Sequence, residues 1–437
     1  MLRILVFVLC LFTGIAQAKF LNIKEFYLDN GLQVIVIPNH KAPVIMQMLW
    51  YKVGSVDEPL GKGGMAHLLE HLMFRGTNKV KDSEFNDIVK KYGGETNAYT
   101  THDFTVYHEF IDVSKLEVTL ALEADRMQNL NISDEAFETE RKIVLQERKQ
   151  RIANNPYARF NEVVNKTLWQ DNPYARPVSG TEDEINSITK EDIINFYKQY
   201  YSPNNAVLVL AGDITFEQAR QLSEKYFGKI KASKINVKDV IVSEIKNTSF
   251  EVKQFMEEIK NPRYVIKYIV PNTVKNPQMF YALMLFSNYL GETENSYLNE
   301  NLVLTEKVIS VQSYYDGLNR GNDTLTISAI PNNNVNQIDK IIRKALEEAF
   351  NKFDNEELEK QKKKVLSSLI YLKDNPQDAA YIVGNFAALG LDINEIINYD
   401  EKIAKISLGD VQKAFADMIS NNTVITAVLL PNIEKEK

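Results

Sequence analysis

Residues 188–210 read ITKEDIINFYKQYYSPNNAVLVL and residues 406–428 read ISLGDVQKAFADMISNNTVITAV; laid over one another without a gap, they keep a constant offset of 218. Asp192 falls on Asp410, Ile193 on Val411, Asn204 on Asn422 and Val207 on Ile425. In each copy a hydroxyl residue, Thr189 or Ser407, stands where an N-cap opens a helix. A turn containing Asn closes the helix, and an apolar β-rich run follows. A helix-turn-strand unit repeated at nearly half the chain length predicts two halves of similar fold. Working outward, GLQVIVIPN (31–39) and PVIMQMLWYKVGS (43–55), separated by HKA, read as antiparallel strands forming an opening hairpin. Helical patterns cover 82–92, 113–129 and 134–152. Strands and helices in mixed order predict an α+β fold, each half an antiparallel β-sheet covered by helices.

The predicted divisions are a signal peptide at 1–18, a first half at 19–230, a linker at 231–250 and a homologous second half at 251–437. The linker reading rests on KIKASKINVKDVIVSEIKNTS, which is polar, charged and weakly periodic. The signal reading rests on MLRILVFVLCLFTGIAQA: Arg3, an apolar run from Ile4 to Phe12, then Ala16-Gln17-Ala18. The run is short for a bilayer span, and no other segment reaches eighteen apolar residues, so no integral membrane span is expected. The mature chain is expected in the periplasm or an equivalent exported space. The only cysteine, Cys10, lies inside the signal, so a metal in the mature chain must be held by His, Asp or Glu.

With 44% hydrophobic and 25% charged residues the chain has the composition of an ordinary globular protein, neither disordered, collagenous nor polytopic. A net charge of −7 supplies no basic footprint, which argues against a nucleic-acid partner.

The chemistry concentrates in GGMAHLLEHLMFRGT (63–77), which holds two of the five histidines. If MAHLLEHLMF is helical, as its Ala, Leu and Met content favours, His67 and His71 lie one turn apart on one face and can converge on one ion. Glu70 then lies within reach of a water bound to that ion without being a ligand. This is the inverted H-x-x-E-H metalloprotease motif. Two imidazoles, a carboxylate and a water suit zinc, one ion per chain. A Leu-rich helix with polar residues on one side is the plainer alternative, but two unpaired buried imidazoles would be costly there. For the remaining ligand the residues alone leave Glu147, Glu140, His102 and His108 open, because EAFETERKIVLQERKQR also reads as an amphipathic helix with a solvated face.

GMAHLLEHLMFRGT resembles the zinc signature of the pitrilysin/insulinase peptidases, a family that includes mitochondrial processing peptidase and bacterial relatives. The resemblance implies a clamshell-like chamber built by the homologous halves and hydrolysis of peptides. It also implies a third zinc ligand on a later helix that carries another Glu seven residues earlier; ETERKIVLQERKQ matches, making Glu147 the ligand and Glu140 its supporting carboxylate. YGGETNAYTTHDFTVYHEF is similar to the family's region after the zinc helix, which implies peptide contacts at Asn97, Ala98 and Tyr99 on an edge strand.

The pattern departs in the second half. Active single-chain relatives carry there an Arg and, seven residues later, a Tyr that hold the substrate carbonyl. Here SYLNENLVLTEKVIS (296–310) puts Val303 and Ser310 at those places. The resemblance therefore implies the metal-bearing subunit of a two-chain zinc endopeptidase for short or unfolded peptides. A homologous partner would supply the Arg/Tyr pair, with a homodimer as the other arrangement. The alternative is a non-catalytic scaffold or peptide-binding member of the same family.

Overall fold

The computed structural model describes residues 21–235, 248–291, 293–332, 334–420 and 423–432. The expected signal at 1–18 lies outside the described residues, as does most of the expected linker. The first sheet contains β1 (Lys24–Tyr27), β2 (Gln33–Pro38), β3 (Val44–Tyr51), β4 (Glu95–Thr100), β5 (Thr105–Asp112) and β6 (Ala206–Gly212), in the order β1-β2-β6-β3-β5-β4. The second contains β7 (Ser249–Met256), β8 (Arg263–Val270), β9 (Val308–Tyr314), β10 (Asp323–Pro331) and β11 (Val424–Pro431), in the order β7-β11-β8-β10-β9. Without β1 the two orders are the same permutation. In both, the last strand pairs parallel with the first (β6 with β2, β11 with β7), and every other pairing is antiparallel.

The repeat seen in the sequence recurs atom by atom. The amide of Asp192 donates to Thr189 Oγ1 at 3.1 Å and the Thr189 amide returns a bond to the Asp192 carboxylate at 2.9 Å. Ser407 and Asp410 make the same reciprocal pair at 3.2 and 2.8 Å. These caps open the helices Lys190–Tyr200 and Leu408–Ser420, which feed β6 and β11.

The opening hairpin is a different one from that expected. β2 and β3 run antiparallel but are not neighbours, because β6 inserts between them. All seven residues of β6 are buried, so both its edges and both its faces need cover, and the centre of the sheet provides them. The actual first hairpin joins β1 to β2 through Asp29-Asn30-Gly31, where Gly31 takes φ 87°, the left-handed conformation an Asn-Gly turn favours.

Two crossing helices tie the halves together. Asn155 caps Pro156–Trp169 by accepting from the amides of Tyr157 and Ala158; Asn375 caps Pro376–Ala388 by accepting from those of Gln377 and Asp378. The first helix packs Phe160, Val164 and Leu168 on Val265, Ile269 and Ala427 of the second sheet. The second packs Ala380, Val383 and Ala387 on Met48, Trp50 and Val209 of the first. Each half thus covers the back of the other's sheet. A polar clasp completes the contact: Arg320, from the β9–β10 connection, donates to Asp57 at 2.6 Å and to Asp103 at 3.1 Å, and both carboxylate side chains are buried.

Candidate metal centre

The helix Met65–Leu72 places the two histidines. Leu68, Leu69 and Leu72 are buried in the first half's core, leaving His67 and His71 half-buried on the opposite side. Its N-terminus is capped by the Glu58 carboxylate, which accepts from the amides of Gly64 and Ala66 at 3.0 and 2.8 Å. Burial pushes the Glu58 carboxyl up to about 8, against the pull of those two hydrogen bonds. The histidines open into a cavity of about 1020 Å³, whose lining residues run from His67 to Ser179 and so come from the first half.

Glu147 arrives from the helix Asp134–Arg148, at whose end the backbone passes into a π-turn over Lys149–Ala153. Its Oε2 lies 3.6 Å from His67 Nε2 and 3.5 Å from His71 Nε2. The three ligand atoms lie within 4.8 Å of one another, and among the described residues this is the only His, Cys, Asp or Glu group so arranged. Seven residues earlier on the same helix, Glu140 Oε2 is 2.9 Å from His71 Nδ1, while its other oxygen is held by Arg75. A proton on Nδ1 directed at Glu140 leaves the His71 Nε2 lone pair for a cation. Glu70 Oε2 accepts from Thr100 Oγ1 at 2.6 Å, which ties the motif helix to β4.

The charges suit the same use. Burial, then the neighbouring His71, pushes His67 down to about 4, which keeps its imidazole neutral at neutral pH. For His71 burial acts downward, but the hydrogen bond and charge of Glu140 outweigh it and the net shift is upward. Burial raises the Glu70 carboxyl, partly offset by Thr100. Glu147 Oε2 and His67 Nδ1 are both buried and without a hydrogen-bond partner. A buried carboxylate oxygen beside two imidazole nitrogens and without a hydrogen-bond donor is unfavourable by itself, and a cation held by all three would resolve it. Two imidazoles and one carboxylate fit a catalytic zinc site, with a fourth position left open.

Residues 33–182 match the family described as Insulinase (Peptidase family M16), and residues 187–365 match the Peptidase M16 inactive domain. The chain belongs to the insulinase family of peptidases. It is 29% identical over 424 residues to the zinc protease PqqE of Helicobacter pylori, covering 95% of this chain and 94% of that one. It is 26% identical over 265 residues to a probable mitochondrial-processing peptidase subunit beta of Arabidopsis thaliana, covering 60% of this chain and 49% of that one. The crystal structure of a protease from Helicobacter pylori superposes with a TM-score of 0.87 at 27% identity, over 94% of this chain and all of that one. Pitrilysin shares the fold, with a TM-score of 0.78 at 16% identity over 95% of this chain and 45% of that one. The chain therefore spans about half the length of pitrilysin.

Against the family's pattern, Asn97, Ala98 and Tyr99 lie on β4, the outermost strand of the first sheet, and line the cavity with the histidines. The Tyr99 ring is packed among Trp50, Phe104 and Tyr381, so what it offers a peptide is its backbone. His102 Nε2 is 3.1 Å from the Arg176 carbonyl oxygen, and His108 packs near Tyr99; neither belongs to the metal-ligating group. Val303 ends a π-turn and packs on the second half's core, and Ser310 sits on β9 opposite Ile330. Neither is among the cavity's lining residues. Sequence reasoning missed Thr100, Glu58 and Arg75. Each acts across a fold contact, and only the turn-forming context of Glu58, six residues before Gly64, offered a local hint.

Proposed function

We propose that the chain is a zinc metalloendopeptidase acting on short or unfolded peptides, with His67, His71 and Glu147 as ligands, Glu140 orienting His71, and Glu70 as the general base. The observation that carries this reading is the convergence of two imidazole Nε2 atoms on an unpartnered buried Glu147 oxygen, beside a carboxylate held by Thr100. Zinc bound there supplies Lewis acidity towards a water and towards the scissile carbonyl. Glu70 takes the proton of the attacking water and delivers it to the leaving amine; burial, which lifts its carboxyl, brings its basicity nearer the working pH. Thr100 fixes one Glu70 oxygen, so the carboxylate keeps one orientation through both transfers. A peptide adds to the open edge of β4 as a further strand, with Asn97, Ala98 and Tyr99 pairing through their backbone, which demands little of its sequence.

Donors for the developing oxyanion are the missing part. The cavity is lined from the first half, and Val303 and Ser310 stand where the family's Arg and Tyr are expected. A second chain facing the cavity, a homologous partner with that pair or another copy, fits this gap. The residues 19–230 and 251–437 then act as zinc-bearing and supporting halves of an exported subunit. The same two residues favour the alternative of a non-catalytic peptide-binding member. A peptidase assay on the zinc-loaded chain, alone and with candidate partner chains, separates the two. Cleavage abolished by Glu70→Gln supports the enzyme, and peptide binding without cleavage under any partner supports the alternative.

A further inference from the structure

Four arginines line the cavity, and three of them are neutralised. Arg75 is held by Glu140, Arg148 makes a two-pronged pair with Glu162 at 2.9 and 3.0 Å, and Arg151 pairs with Glu147 at 2.6 Å. Arg176 is the exception. Among the described residues no carboxylate oxygen lies within 4 Å of it, and its guanidinium donates only to the backbone carbonyls of Glu58 at 3.0 Å and Pro59 at 3.4 Å. The nearby Glu58 carboxyl feels the Arg176 charge, but its oxygens accept from the amides of Gly64 and Ala66 and it makes no direct pair with the guanidinium. Five guanidinium donors with two carbonyl acceptors leave hydrogen-bonding capacity on a residue that lines the cavity.

The segment that carries Arg176 is fixed on both sides. Its carbonyl is bound by His102. Four residues on, Gly180 (φ +70°) approaches Gly63 so closely that a Cβ would meet the Gly63 oxygen at 2.1 Å. A preset guanidinium loses little freedom on binding a carboxylate. Its place along the groove follows from the chain: β4 ends at Thr100, which holds Glu70, and His102 and Arg176 lie just beyond. A peptide paired with β4 advances about 3.3 Å per residue, so a residue near this end has a set separation from the scissile bond.

We propose that Arg176 is a specificity-determining residue that binds a carboxylate of the peptide, an Asp or Glu side chain or the C-terminal carboxylate, at the end of the groove beyond Thr100. The proposal rests on the reading of this cavity as a peptide site and gives that site a preference for acidic substrates. The probe is a set of fluorescein-labelled nine-residue peptides of Gly, Ala and Ser with one Asp, or one Asn as control, moved along the sequence, each with a free or amidated C-terminus. Binding is measured by anisotropy to the zinc-loaded full chain carrying Glu70→Gln. One Asp position, or the free C-terminus, should bind about ten- to a hundredfold tighter than its Asn or amidated counterpart, as a charge-assisted bidentate contact provides. That ratio should fall to near one in Arg176→Gln and be partly kept in Arg176→Lys. If no position shows a preference, or if Arg176→Gln weakens charged and neutral peptides alike and leaves the ratio intact, the proposal is overturned. Failure of the peptidase reading gives a different result: wild-type chain that cleaves nothing with any partner, while the Arg176-dependent ratio persists.

Discussion

Glu140 and Glu147 stand seven residues apart on one helix, and the geometry gives them different parts in metal binding. Glu140→Gln keeps the shape of the side chain but removes the charge that His71 Nδ1 and Arg75 both engage. Loss of such an orienting partner weakens metal binding by about 10–100-fold. Glu147→Gln removes one of the three proposed ligands, and the only anionic one. With free zinc at about 1,000 times the wild-type dissociation constant, binding stabilises the wild type by about 4.1 kcal/mol. The same zinc then stabilises Glu140→Gln by about 1.4–2.7 kcal/mol and Glu147→Gln by less than about 1 kcal/mol. Without metal the order changes. Glu147 Oε2 is buried and unpartnered, and a Gln amide there can donate to an imidazole nitrogen, which offsets the loss of the exposed Arg151 pair, so metal-free Glu147→Gln should lie within about 1 kcal/mol of wild type. Metal-free Glu140→Gln should lose stability, because Arg75 and His71 keep only a neutral partner. Chelator-competition titration gives the affinities, and denaturant unfolding with and without zinc gives the stabilities. Equal zinc affinity in the wild type and both variants would refute the ligand assignment, and a larger loss in Glu140→Gln than in Glu147→Gln would exchange their roles.

Thr100→Val should lower peptide turnover and move the acid limb of the pH–rate profile to higher pH. Burial already raises the Glu70 carboxyl and Thr100 holds it down, so activity disappears as pH falls through a value that the substitution raises; an unmoved limb argues against Glu70 as the base. Arg320→Ala should cost about 3–5 kcal/mol, since it removes the cation paired with Asp57 and Asp103, whose side chains are 5% and 3% exposed and which keep only neutral donors; urea unfolding that separates into two steps would show that the clasp couples the halves. Asp323 is lifted to about 7, first by burial and then by Asp316. Its folded-state value lies above the unfolded one, so its contribution is fully present below the unfolded value of 3.8 and lost as pH rises through about 7. Asp323→Asn should therefore show a shallower fall in stability between pH 4 and 7, and an unchanged slope removes Asp323 as its source. Finally, Val303→Arg with Ser310→Tyr should raise cleavage only in trans, when that chain also carries Glu70→Gln and is mixed with wild type, because neither position lines its own cavity; full rescue in a dilute monomer would contradict the two-chain arrangement.

Local patterns carried much of this protein. The helix face that presents His67 and His71 is a matter of spacing, since two imidazoles one turn apart must share a side of any α-helix. The Thr189/Asp192 and Ser407/Asp410 caps are equally local, which is why a repeat read from residue types alone reappears as matching hydrogen bonds. Strand neighbours were not legible. β2 and β3 are apolar runs joined by a short link, the pattern of a hairpin, yet β6, more than 150 residues later, separates them because only the centre of a sheet buries a strand on every side. Residues alone leave the third ligand open among Glu147, Glu140, His102 and His108, because a charged helix does not declare which carboxylate faces inward; packing of Asp134–Arg148 beside the motif helix brings Glu147 to both imidazoles. The exchange of covering helices, the Arg320 clasp, the hold of Thr100 on Glu70 and the hold of the Glu58 and Pro59 carbonyls on Arg176 each join residues far apart in the chain. Periodicity and spacing report what a residue's own helix or strand does with it, whereas these pairings exist only once separate elements are packed together.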